Sequence, residues 1–265
     1  MISVPYLIAF SLRELNYEYP ILDLSLFKIR NFTVCVTATV IIFFGVSATL
    51  FLIPYFLQGI KGLTAEEAGY WMIAIPLTNM VVSPIAGKLS DKMNPKYLMA
   101  VAPVFFALGI YILTGVDIDV RYWEFFIMLV PIGVGMGMIM SPAFNVIMSS
   151  VPPQKVGMAN GTVRSINTIG QAMGVAVGGA LLTSRMNEWI PGYGNIVPDP
   201  GTMSLLRIMA KFNPVPLIGM TEGFMDSMHY TFSVFMWFPL LSSLIIFLFL
   251  KGEEHLRKMR SIEAS

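Results

Sequence analysis

Four polar side chains, Asn160, Arg164, Asn167 and Gln171, recur at i, i+4, i+7 and i+11 in an otherwise apolar stretch. On a helix those spacings fall on one face. Their combined chemistry is recognition. The guanidinium offers five donors, and each carboxamide both donates and accepts. A second row, Gly133, Gly137, Ser141, Asn145 and Ser149, repeats every four residues. Beside the first row, Gly170, Gly174 and Gly178 form two overlapping small-xxx-small repeats, which let a second helix come close.

Bond-making chemistry has no such support. The single cysteine, Cys35, lies in an apolar run, so no internal disulfide forms. His229 stands at a helix end and His255 near the C-terminus. Gly133-x-Gly135-x-Gly137 follows no strand and has no acidic residue at nucleotide-binding distance. No metal-ligand spacing, Ser/His/Asp grouping or phosphate loop is visible, so no catalytic residue, metal or cofactor is expected, and the class expected is not an enzyme.

The elements that carry the polar rows are long and apolar. Hydrophobic residues make up 55% of the 265-residue chain and charged ones only 12%, about half the charged share of a soluble domain, which is about 25%. Six stretches can span about 30 Å of hydrocarbon: residues 32–57, 68–89, 97–115, 123–149, 162–184 and 228–250. None alternates as a barrel strand would, so an all-α membrane protein with a six-transmembrane-helix bundle is expected. The organisation expected is a lead-in at 1–31, a bundle at 32–250 and a tail at 251–265. A loop at 185–225 holds a short amphipathic stretch at 202–212, which suits either a membrane surface or an ordinary loop helix. The lipid bilayer is the expected partner. A net charge of +1 gives no electrostatic case for nucleic acid. Residues 1–12 are apolar but lack the basic start and small-residue cleavage site of a signal peptide.

Orientation follows from Lys and Arg. Twelve fall on the side of the termini, among them Lys88, Lys92, Lys96 and Lys155, and five on the other, including Lys61, Arg121 and Arg185. The expected location is a cell membrane, multi-pass, with both termini cytoplasmic. Within such spans polar groups face protein or a water-filled cavity. Two readings stand for Asn145, Arg164, Asn167 and Gln171: they line a pathway, or they join helices through hydrogen bonds of about 1 kcal/mol or less. For Gly133, Gly137, Gly170, Gly174 and Gly178 the expectation is helix packing.

One short loop carries a further signal. Gly87-Lys88-Leu89-Ser90-Asp91-Lys92-Met93-Asn94-Pro95-Lys96 makes its flanking helices antiparallel neighbours. Asn94 and Pro95 read as N-cap and first helical residue. By itself this is a charged tight turn that obeys the positive-inside rule. It also resembles the Gly-x-x-x-Asp-basic-x-Gly-basic-basic loop of the major facilitator superfamily. Gly87, Asp91, Lys92 and Lys96 match, and Asn94 and Pro95 depart from the pattern. The segment Pro20–Phe32 and the stretch Gly157–Gly161 running through Arg164 to Gly170 and Gly174 are similar to the fourteen-helix drug:proton antiporter branch. The resemblance covers nearly the whole chain and implies the C-terminal half of a transporter. It assigns Gly87, Asp91, Lys92 and Lys96 to a gating loop, and implies an N-terminal half as partner and a small amphipathic or cationic substrate. No Asp or Glu lies in the middle third of any span. Proton-coupled drug export is therefore expected to need the other half. The alternatives are a non-transporting remnant, an interaction subunit that docks on a full-length carrier, and a homodimer that builds a pseudo-complete transporter.

Overall fold

A computed structural model describes residues 24–189 and 215–250. A short 3-10 turn at Leu24–Lys28 leads into α1, Arg30–Pro54. Then follow α2 Ala65–Met72, α3 Ala74–Lys92, α4 Pro95–Leu113, α5 Tyr122–Ser149, α6 Val156–Trp189, α7 Val215–Phe235 and α8 Trp237–Phe249. Among the described residues these make six stretches long and apolar enough to cross a membrane. α2 with α3 forms the second span, and α7 with α8 the sixth.

Proline explains both breaks. Pro76 and Pro239 have no N–H to give the carbonyl four residues back. Those carbonyls belong to Met72 and Phe235, where α2 and α7 end. Pro84, Pro103, Pro131 and Pro142 lie inside helices that continue past them. Beyond Pro54 the chain widens into a π turn, Tyr55–Ile60. Gly62, at φ 70°, then turns it in the left-handed region that glycine tolerates. The next helix starts in a capping box: Glu67 N donates to Thr64 Oγ1 at 3.2 Å, and Thr64 N donates to Glu67 Oε2 at 2.8 Å.

Several helix ends lie beyond the apolar runs that the sequence marks. α6 starts at Val156 and reaches Trp189, and α7 begins at Val215, so both enter the stretch expected as loop 185–225. The 202–212 segment, most of the 1–31 lead-in and the 251–265 tail lie outside the described residues. The expected loop at 87–96 shortens to Met93–Asn94, because no helix breaker stands before Asn94 and Pro95. Asn94 caps α4 as expected, accepting from Lys96 N at 3.0 Å.

The spans pack in the order two, four, three, six, one, five. α5 lies between α3 and α4, α8 bridges α4 and α1, and α6 packs along α1. α1 also touches α5, which closes spans four, three, six and one into a ring. Spans two and five sit outside that ring and are the least covered. Large aromatics fill the interior, with Phe32, Phe56, Phe106 and Phe125 fully buried, and Cys35 is buried in α1. Because lipid is as apolar as leucine, this packing is held by van der Waals fit and interhelical hydrogen bonds. Ser242 Oγ donates to the Ala38 carbonyl at 3.0 Å and Ser243 Oγ to that of Ala100 at 2.6 Å, which ties α8 to both neighbours.

At the end away from Lys92 and Lys96, charges fasten the loops. Lys61 Nζ donates to the carbonyls of Ile118 at 2.8 Å and Val120 at 2.7 Å, and stands 4.9 Å from the Trp71 ring centre. Burial pulls its ammonium below the usual lysine range, while Asp119 and Asp117 pull the other way. His229 Nε2 donates to the Val116 carbonyl at 2.8 Å. Arg185 Nε and Trp189 Nε1 both donate to Asp226 Oδ2, at 3.1 and 3.2 Å, which joins α6 to α7. Lys61→Met removes two charge-assisted hydrogen bonds and strands two carbonyls. We expect a loss of about 1–3 kcal/mol, read as a lower melting temperature in detergent and partly restored by Lys61→Arg. An unchanged melting temperature would show that the loop is held without Lys61.

Candidate functional site

An open cavity of about 460 Å³ lies between α1, α5 and α6. Its α6 wall carries Asn160, Arg164, Asn167 and Gln171, with Thr168 between them. Thr39 and Phe43 of α1 face this wall, and α5 adds Met140, Phe144 and Ile147. One helical face therefore delivers every α6 polar residue picked out by spacing to the same space. Thr39 Oγ1 is 3.1 Å from Asn167 Oδ1 and 3.0 Å from the Val36 carbonyl. Its single proton serves one of these acceptors at a time. Ser47 Oγ donates to the Gln171 carbonyl at 2.9 Å. Among the described residues the Arg164 guanidinium has no hydrogen bond or ion pair.

The glycine rows set this geometry. A Cβ at Gly170 would stand 3.0 Å from Val40 Cγ1, and one at Gly178 would stand 2.9 Å from Ala48 Cβ. At Gly174 a Cβ would overlap the Phe44 carbonyl oxygen and the Ser47 hydroxyl. The three glycines thus press α6 onto Val40, Phe44 and Ala48, which are four residues apart on α1. The flank carrying Arg164, Asn167 and Gln171 then turns toward the cavity. On α5 a Cβ at Gly133 would lie 2.7 Å from the Ile75 carbonyl, and one at Gly137 would lie 2.8 Å from Val82 Cβ. That row closes α5 against α3.

Asn145 is exposed and is not part of the cavity lining. Its four-residue row faces α3 at Gly133 and Gly137, and Asn145 is turned about 100° from the lining residue Phe144. Gly87 lies within α3, Asp91 and Lys92 in its last turn, and Lys96 in the first turn of α4. Gly87, Lys92 and Lys96 do not line the cavity. Lys96 Nζ instead stands 5.6 Å from the Phe247 ring centre. Sequence spacing misses Thr39, Phe43, Phe144 and Thr168. Thr168 shares the α6 face, four residues past Arg164, and could have been found there. The other three reach the site only through helix packing. Among the described residues no group of three His, Cys, Asp or Glu could hold a metal ion.

The description of the Major Facilitator Superfamily matches residues 35–194, more than half of the chain. This chain belongs to the Major Facilitator Superfamily. It is a multi-pass membrane protein with apolar helices of the kind that this superfamily's transporters use. Among the curated members of the superfamily it is similar to the riboflavin transporter RibZ of Clostridioides difficile, 35% identical over 166 residues. That alignment covers 63% of this chain and 36% of RibZ. The uncharacterized MFS-type transporter YhcA of Bacillus subtilis is 26% identical over 98% of this chain and 52% of its own length. The multidrug export protein EmrB of Escherichia coli is 27% identical over 65% of this chain and 34% of EmrB. The chain thus spans between about a third and a half of the superfamily members it matches.

Proposed function

We propose that this chain is the C-terminal six-helix bundle of an efflux transporter of the multidrug type, which works with an N-terminal bundle by drug:proton antiport. The cavity carries the reading. An α6 face of carboxamides and one guanidinium, left uncovered by this bundle, needs protein or water against it rather than lipid. A second bundle placed over spans two and five would cover that face and enclose the cavity. Rocking of one bundle against the other would then expose it to each side in turn. Among the described residues no carboxylate lines the cavity, so the proton-binding group is assigned to the partner and the bundle alone is inactive. We place the protein in the cell membrane, with both termini cytoplasmic and Gly87, Asp91, Lys92 and Lys96 as the gating loop. The likeness to RibZ favours one further reading, a flavin-type substrate.

The test uses native membranes and an antibody against residues 253–265. Two products suit the proposal: a band near 29.4 kDa that copurifies with a second helical bundle, or one longer polypeptide that contains this bundle. In both cases inside-out vesicles should take up drug when a proton gradient is imposed. A lone 29.4 kDa product, with uptake no greater than in vesicles lacking it, would point to a non-transporting subunit or remnant. Gradient-driven uptake by the purified chain would instead favour a homodimer.

A further inference from the structure

We propose that the cavity selects amphipathic organic anions with a planar aromatic body, and that Arg164 reads the charge. This rests on the assignment of the cavity as the substrate surface. Among the described residues Arg164 is the only ionisable side chain in the lining, and no carboxylate neutralises it. A free guanidinium presents a planar fork that matches a carboxylate or sulfonate through two parallel hydrogen bonds. The same group repels a cation, and among the described residues the lining holds nothing negative to offset that repulsion.

The rest of the wall fits the body of such a ligand. Phe43 and Phe144 offer aromatic faces from two helices, and Met140 a polarizable thioether. The carboxamides of Asn160 and Gln171 donate or accept equally well, so they orient a polar edge without selecting a charge. The volume of about 460 Å³ is in the range that holds a small organic molecule. Arg164 also lies near one end of the bundle. It is the ninth residue of α6, about 12 Å along the axis from the first, at the end where Lys92, Lys96 and Lys155 gather. Positive charge at that end favours the approach of anions.

Two xanthene dyes of similar shape and opposite charge make the test: fluorescein as the anion and rhodamine 123 as the cation. The full chain is placed in phosphatidylcholine nanodiscs, and binding is followed by fluorescence polarization. Fluorescein should bind at least tenfold tighter than rhodamine 123. Arg164→Gln should lower fluorescein affinity at least tenfold and leave rhodamine 123 unchanged or improved, while Arg164→Lys should keep part of the preference. Equal binding of the dyes, or no effect of Arg164→Gln, overturns the charge assignment. Gln171→Trp fills the cavity and separates the two levels. If it removes both dyes, the cavity is the binding surface whatever Arg164 does. If both dyes stay bound, or if the unmodified chain binds neither, the cavity assignment fails and the anion proposal with it. Loss of fluorescein binding when phosphatidylglycerol is added to the nanodisc would assign Arg164 to a lipid headgroup and overturn the proposal.

Discussion

Gly174→Leu should leave little folded protein. The substituted side chain would have to occupy the space of the Phe44 carbonyl oxygen and the Ser47 hydroxyl. A carbonyl is fixed in the α1 backbone and cannot swing aside as a side-chain end can. α6 must therefore move away from α1 along the main contact that joins span five to the ring. Overpacking of a well-fitted core costs about 1–3 kcal/mol. Even Gly174→Ala belongs at the top of that range, since its Cβ alone meets backbone. Gly170→Ala and Gly178→Ala should be milder, because their nearest obstacles are Val40 Cγ1 at 3.0 Å and Ala48 Cβ at 2.9 Å. Gly161→Ala meets nothing within 4 Å and should be neutral or stabilising by up to about 1 kcal/mol, since alanine is the better helix former. The measurement is monodisperse yield and melting temperature in detergent across the five variants. A Gly174 variant as stable as the Gly161 variant would mean that α1 and α6 do not meet as described.

Gln171→Leu should have the opposite profile, with normal folding and transport cut by at least about fivefold. The Gln171 side chain has no hydrogen bond among the described residues, and only its backbone carbonyl is engaged, by Ser47. If this face met lipid, leucine would be an improvement and export would continue. If it meets substrate in an enclosed cavity, the loss of a polar contact is worth about 1–3 kcal/mol, or roughly five- to 150-fold in rate. Gradient-driven uptake by inside-out vesicles, normalised to the amount of protein in the membrane, distinguishes the two. Undiminished uptake would remove α6 from the pathway.

Much of this architecture was legible because lipid restricts the choices. Six apolar runs had to be helices, and the glycine spacings named which helix flanks would touch. The sequence did not say what they would touch, since Val40, Phe44 and Ala48 show no pattern of their own. Helix ends were less legible for a physical reason. Hydropathy marks where a helix is apolar, whereas capping and proline mark where it stops. Thus α6 begins six residues before Thr162, the first residue of the apolar run, and Ile73 and Met236 interrupt spans that read as continuous. The α6 wall of the cavity could be read from i, i+4, i+7 and i+11. Its α1 and α5 walls depend on which helices become neighbours, and Asn145 shows the limit. Its row looked like the other polar row, yet that row closes onto α3.

Cys35 has a practical consequence. The chain has a single cysteine, and that residue is shut inside α1 with no exposed surface. This chain is therefore close to a cysteine-free background for labelling. A thiol introduced along α6 would be the only one within reach of an aqueous maleimide, with no native residue removed first. Residue-by-residue accessibility maps, spin-label distances and single-molecule dye pairs can all start from the unaltered sequence.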